Sequence, residues 1–241
     1  MIGTTEKVIK FKHGADNVFL PPVVPASKLL PAWYKKLEVR EPETKPWDSG
    51  TVKACMPFFD AMVQGYIIPL WADLSVSTAI NEEGNPYPIF EWGGDAILGT
   101  HSKGQTLGLP IMEKSLGGGA AWKFMSPWLI ETPKGYSTLF VSPLNNVNPN
   151  FELVSGIVST DCYKNVINFP FVWTGPADWE GIIPQGTPLV QIIPFKRDDF
   201  RHEISVGDMV DDALVRSSAK AIHNGFSNVY KRLWRKTSRS I

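Results

Sequence analysis

The sequence holds little of what enzymatic sites are commonly built from. It has two cysteines and four histidines in 241 residues. Cys55 and Cys162 form no CxxC pair, so neither a zinc ribbon nor a thioredoxin-type motif is present. Both thiols are expected to be reduced and buried, Cys55 within the apolar run "ACMPFF". There is no G-x-S-x-G nucleophile turn, and the glycines of "LGGGAAWKF" lack the Lys-Ser/Thr ending of a phosphate-binding loop. The histidines are His13, His101, His202 and His223. "HGAD" (His13 to Asp16) and "RHE" (Arg201 to Glu203) place a carboxylate near a histidine, but at poor spacing for a two-histidine, one-carboxylate iron site. No metal and no other cofactor is expected. No apolar run approaches the roughly 20 residues that a membrane span requires, and "MIGTTEKVIKFKHG" contains none of signal-peptide length. The expectation is a soluble protein that neither spans a membrane nor carries a signal peptide.

Acidic residues are absent after Asp212. Basic and acidic residues balance at 24 each, yet Arg216, Lys220, Lys231, Arg232, Arg235, Lys236 and Arg239 all lie beyond that point. The preceding residues therefore carry a net charge of −7. An acidic body with a basic tail implies a phosphate-bearing or acidic partner at the tail, or simply a helix end that complements its own dipole.

What is abundant is aromatic and β-branched sequence, with nine Trp and thirteen Phe, which favours pleated, half-buried surfaces. Residues 1–50 are Pro-rich and irregular, with a short strand at "VIKFK" and a helical turn from about Ser27 to Leu37 capped by Ser27. Residues 51–206 read as a β domain. "TVKACMPFFDAM" and "QGYIIPLWADLSVSTAI" are taken as strands, with Pro57 and Pro69 at edges or bulges. "SPWLIETPKGYSTLFVSPL" places two apolar runs around Pro133-Lys134-Gly135, which is hairpin chemistry. "FELVSGIVSTDCY", "NVINFPFVWT" and "GTPLVQIIPFKR" are three further strands, and "FRHEISV" ends the sheet. In the last of these strands Leu189 to Ile193 are apolar on both faces around Gln191, so the strand is expected to be central and Gln191 must find a partner. Residues 207–241 form a C-terminal amphipathic helix with a basic end, because Val210, Leu214, Ile222, Phe226, Val229, Tyr230 and Leu233 recur at helical spacing. Gly225 is the place for a bend. Many short strands between turn signals indicate a mainly β fold, a sandwich or jelly-roll-like barrel.

Polar and aromatic residues interleave in one region. "DAMVQGYIIPLWADL" carries Asp60, Gln64, Tyr66, Trp71 and Asp73; "EWGGD" adds Trp92 and Asp95; "HSKGQ" adds His101 and Gln105. Such a mixture either lines a pocket that stacks a ring and bonds its rim, or divides into core aromatics and a solvent face. The ligand-binding set expected on the first alternative is Asp60, Tyr66, Trp71, Trp92, His101, Tyr163 and Gln191.

Thr51 to Leu74 resembles a segment of β-rich proteins of marine tailed phages of the cyanophage type, of pattern K-x-C-P-P-F-x-D-A-M-x-x-G-Y-x-I-P-L. Lys53, Cys55, Pro57, Phe58, Asp60, Ala61, Met62, Gly65, Tyr66, Ile68, Pro69 and Leu70 match, with Met56 at a usual proline. The likeness extends through "WKFMSPWLIETPKGYSTLF", "INFPFVWT" and "IPQGTPLVQIIPFKR". It implies a phage-type protein, in the virion or the host cytoplasm, and no particular chemistry. "GIVSTDCY" followed by "GTPLVQIIPF" is also similar to the last motif region of the dUTPase and dCTP-deaminase fold, through Gly156, Ile157, Val158, Gly186, Leu189, Gln191 and Ile192. The catalytic aspartate of that pattern falls on Ser159, so Asp161 would have to serve as the base. The functions carried forward are a phage-type protein without evident catalysis, virion-associated or binding a ligand or partner; a dUTPase-like nucleotide-processing enzyme; and an iron- and 2-oxoglutarate-dependent oxygenase on a double-stranded β-helix. Self-association through the C-terminal helix is a further expectation.

Overall fold

The computed structural model describes residues 7–14, 20–40, 50–93, 97–116, 121–225 and 228–236. Asp16, Asp95, Phe226 and Arg239, used in the readings above, lie outside these residues. The chain divides into two compact units, each assembled from two stretches: Met1–Leu29 with Gly65–Arg197, and Leu30–Gln64 with Asp198–Ile241.

The strands, all in the larger unit, are β1 (Lys10–Lys12), β2 (Val24–Pro25), β3 (Tyr66–Pro69), β4 (Leu74–Ile80), β5 (Pro86–Glu91), β6 (Leu98–Thr100) and β7 (Trp122–Phe124). They continue as β8 (Leu129–Glu131), β9 (Tyr136–Val141), β10 (Phe151–Leu153), β11 (Gly156–Val158), β12 (Phe169–Trp173), β13 (Gly181–Ile183) and β14 (Pro188–Lys196). The helices are α1 (Ala32–Lys36), α2 (Met56–Val63), α3 (Lys103–Thr106), α4 (Met209–Gly225) and α5 (Asn228–Leu233). The protein is thus mainly β, with a C-terminal helix.

Four antiparallel sheets form, in the orders β11-β9-β14-β3-β2, β10-β12-β7-β6, β13-β4-β5 and β1-β8. No strand pairing among the described residues closes them into a barrel, and the arrangement is that of a sandwich. Its core is aromatic. Phe124 and Phe171 stack at 4.3 Å, Phe151 meets both edge-on, and Phe140 of β9 lies 5.7 Å from Phe169 of β12, which joins the two largest sheets.

Strand β14 is central, between β9 and β3, and Leu189 to Ile192 are buried on both faces. The turn before it uses Gly186 at φ +87°, and Pro188 opens the strand, where its missing N–H costs least. Gly65 precedes β3 at φ +70°, and a Cβ there would stand 2.0 Å from the Ile192 carbonyl oxygen. That approach is open only to glycine.

Several expectations are corrected. "TVKACMPFFDAM" is not a strand: Val52–Ala54 is a 3-10 turn and Met56–Val63 a helix, since Pro57 occupies the first helical turn instead of marking a sheet edge. The helical turn near residue 30 is interrupted, with a 3-10 piece at Ala26–Leu29 and α1 beginning after Pro31, which takes the cap position without a side-chain bond. The Pro133–Gly135 turn forms, with Gly135 at φ +88°, but its flanking strands separate: β8 pairs with β1, and β9 with β14 and β11. "FRHEISV" forms no strand and is exposed throughout. The bend expected at Gly225 is a helix end, after which α5 starts at Asn228. Cys55 and Cys162 are exposed, not buried.

Gly65→Ala is expected to destabilise the protein by about 3 kcal/mol or more, from a left-handed backbone combined with a clash against β14. Chemical denaturation followed by Trp fluorescence reads this directly. A loss below about 1 kcal/mol would show that the β3–β14 approach is less constrained than its geometry states.

Candidate functional site

A cleft of about 520 Å³ lies within the smaller unit. Its parts come from four short segments. α1 and its approach bring Leu30, Tyr34 and Lys35; the 3-10 turn brings Lys53 and Ala54; α2 brings Met56 and Phe59; the α5 region brings Lys231 and Arg235; Val39 completes it. The wall is apolar and aromatic, and the charged residues described in the lining are all cationic. No carboxylate is among these lining residues.

Local chemistry explains why the segments meet. Tyr34 is buried, and its ring lies nearly parallel to those of Phe58 and Phe59, at 6.3 and 6.0 Å. Trp33 covers Tyr34 and Phe58 edge-on. The Thr51 hydroxyl donates to the Glu38 carbonyl at 2.6 Å, and the Thr51 N–H to the Val39 carbonyl at 3.0 Å, which fastens the 3-10 turn beside α1. Lys53 reaches across, its Nζ donating to the Lys35 carbonyl at 2.9 Å and standing 5.9 Å from the Tyr34 ring centre. Arg235 donates from Nε to both Asp60 oxygens, at 3.0 and 2.9 Å, and its guanidinium lies 5.7 Å from the Phe59 ring centre. Burial, with smaller contributions from Cys55 and Asp60, raises the Tyr34 phenol above its ordinary range. The phenol stays neutral and able to donate. Among the described residues Lys35 and Lys231 have no carboxylate partner.

The residues expected from the sequence have other surroundings. Asp60 is in the smaller unit and acts on the cleft through Arg235. The remaining ones belong to the larger unit and each has its own neighbours. Tyr66 is half-buried, edge-on to Phe11 at 5.4 Å. Trp71 is buried against Phe124, and Trp92 packs on the same core. His101 Nδ1 lies 3.1 Å from Gln105 Oε1 in the capping turn of α3. Tyr163 is exposed. Gln191 is fully buried, and its Oε1 accepts the Leu144 N–H at 2.7 Å, so a backbone group is one partner of the buried amide. Tyr34, Lys35, Lys53 and Phe59 were missed as a set. "AWYKK" is the one local sign, two aromatic residues followed directly by two basic ones in one short helix.

Asp161 holds a loop together. Its carboxylate pairs with Arg197 through both oxygens and accepts the Gly135 N–H at 2.8 Å, while Arg197 also donates to the Tyr136 carbonyl at 2.8 Å and the Ser137 hydroxyl at 3.0 Å. Beside it, Thr160 shares hydroxyl hydrogen bonds with Thr132 at 2.7 Å and Thr138 at 2.8 Å. The Arg197 hydrogen bonds, then the Gly135 N–H, hold the Asp161 carboxyl well below the usual carboxylate range. A carboxylate so stabilised is a weak base, unsuited to activating water. Among the described residues no three His, Cys, Asp or Glu side chains gather as a metal-binding group.

Since the folded-state value of Asp161 lies below the ordinary 3.8, its contribution to stability is fully present above about pH 4 and is lost as the pH falls toward the depressed value. Asp161→Asn is expected to flatten the acid-side fall in melting temperature, and equal slopes below pH 4 for both proteins would count against the clasp. No protein-family model matches this sequence, and a search of the curated proteins found no match.

Proposed function

We propose that the protein is a binding module without catalysis of its own, and that the cleft of its smaller unit takes an organic anion, a phosphate or carboxylate carried on an apolar or aromatic body. One observation carries this reading: Lys35, Lys53, Lys231 and Arg235 stand around a wall of Tyr34, Phe59, Leu30 and Met56, with no carboxylate among the described lining residues. Cations over an apolar floor suit a ligand with one charged end and one ring or chain, since each half meets a partner that water replaces poorly. Lys53 and Arg235 already lie over aromatic rings, which fixes where they point before a ligand arrives and lowers the ordering cost of binding. The basic residues of the tail thereby gain a specific role, since two of them line the cleft. The sequence resemblance across Thr51 to Leu74 supports a phage-type protein, acting in the virion or the host cytoplasm.

Titration with adenosine monophosphate, phenyl phosphate and inorganic phosphate, followed by calorimetry, tests the reading. Either aromatic phosphate is expected to bind about tenfold or more tightly than inorganic phosphate. Lys53→Glu and Lys231→Glu should each lower that affinity about tenfold, and Tyr34→Ala should remove the preference for the aromatic compounds. Equal affinity for all three probes, or charge reversals without effect, would refute it.

A further inference from the structure

The charges of the larger unit are segregated. Its sheet of β13, β4 and β5, with the residues leading into it, holds Asp73, Glu82, Glu83, Glu91, Asp178 and Glu180 and no lysine or arginine over 73–91 and 178–183. Around the Pro133–Gly135 turn the balance reverses. Lys10 and Lys12 lie two residues apart on β1, so both project from the face opposite Phe11, which packs on the core, at about 7 Å spacing along the strand. β8 beside them carries Glu131, which accepts from Lys12 at 2.6 Å and from Lys164 at 3.3 Å. Lys7 stands 5.3 Å from the centre of the Tyr136 ring, and Lys134 is exposed on the turn itself. Val8, Lys10, Glu131, Thr132, Pro133 and Lys164 border a depression of about 370 Å³.

Among the described residues of this region the carboxylates are Glu131 and Asp161, and both are set beneath cations. The Glu131 side chain is 21% exposed against 51 and 61% for Lys12 and Lys164, and that of Asp161 7% against 41% for Arg197. With Lys7, Lys10 and Lys134 these make six cations against two carboxylates, a net of +4. Asp198 and Asp199, next along the chain, belong to the smaller unit. We propose that this face binds single-stranded nucleic acid, its lysines along the phosphates and the exposed Tyr163 ring, beside Lys164, stacked on a base. Lys12 and Lys164 keep further N–H donors after bonding Glu131, and two lysines in line on one strand suit the repeat of an extended phosphate chain. A duplex offers the tyrosine no unstacked base, and an acidic peptide matches the charge alone. A flat lipid surface fits poorly over a concavity that a single chain can enter. The surface is distinct from the cleft of the smaller unit, since none of its lysines lines that cleft.

Fluorescence anisotropy with the full chain and a labelled oligothymidylate of about 15 nucleotides tests the proposal. Lys10→Glu/Lys134→Glu, at two exposed side chains, is expected to weaken binding about tenfold at unchanged melting temperature, while Lys53→Glu in the cleft leaves it unchanged. Lys10→Gln/Lys134→Gln should make the slope of log affinity against log salt shallower by about 1.4, two phosphate contacts' worth. Tyr163→Ala should cost about fivefold or more on the single strand and nothing on a duplex of equal length. No binding of the oligonucleotide, or a double reversal without effect, overturns the proposal. A loss in Lys53→Glu equal to that of the double reversal overturns it in favour of the cleft. Displacement by polyglutamate as effective as by unlabelled oligonucleotide overturns it in favour of an acidic protein, and equal displacement by phosphatidylglycerol vesicles in favour of a lipid surface.

Discussion

The larger unit depends on a run of four strand residues, Leu189 to Ile192, with no face to water. β14 has hydrogen-bonded neighbours on both edges, and from Leu189 to Ile192 its side chains are buried on both faces, so every group of that run must be satisfied by protein. The consequences radiate from it. Gln191 is there at no exposure, and its amide reaches Leu144 to bond a loop that would otherwise hold an orphaned N–H. Gly65 lacks a side chain because the Ile192 carbonyl occupies the space where one would be. Where the strand ends, Arg197 gathers Asp161, Tyr136 and Ser137 and converts its exit from the sheet into an ionic clasp over the Pro133–Gly135 turn. Each of these is a polar or steric answer to one burial requirement.

The smaller unit is organised differently, around aromatic stacking and one ion pair. Tyr34, Phe58 and Phe59 supply the apolar surface that three short helical pieces share, and no piece is long enough to be stable alone. Arg235 joins the α5 region to α2 through Asp60, with a ring beneath the guanidinium. Because the aspartate neutralises one of the four cleft cations, the net positive field comes chiefly from the lysines. A pair of this kind positions a cation more than it stabilises a fold, since its desolvation opposes much of its Coulomb attraction.

The sequence made some of this legible and hid the rest for identifiable reasons. The start and central place of β14 were legible because glycine, proline and an apolar run each mark a different feature of it. α2 was read as a strand because eight residues give too few turns for periodicity to show, and a proline suits both a helix start and a sheet edge. The strands around Gly135 formed as expected yet paired elsewhere, since turn chemistry fixes a local reversal and not the partner of each strand. Trp71 and Trp92, taken as possible stacking surfaces, joined the core, which is the commoner place for large aromatics. The cleft residues show no local pattern because Asp60 and Arg235 are separated by 175 positions. Only tertiary folding brings them to one place.

That separation has a bearing on how the protein is made. A ribosome delivers Tyr34, Lys53 and Phe59 long before Lys231 and Arg235, and the whole β body from Gly65 to Arg197 emerges in between. During synthesis the half-built smaller unit carries an aromatic surface without its covering segment, while the sheets can complete. The cleft therefore closes only once Lys231 and Arg235, two of its lining residues, have been made.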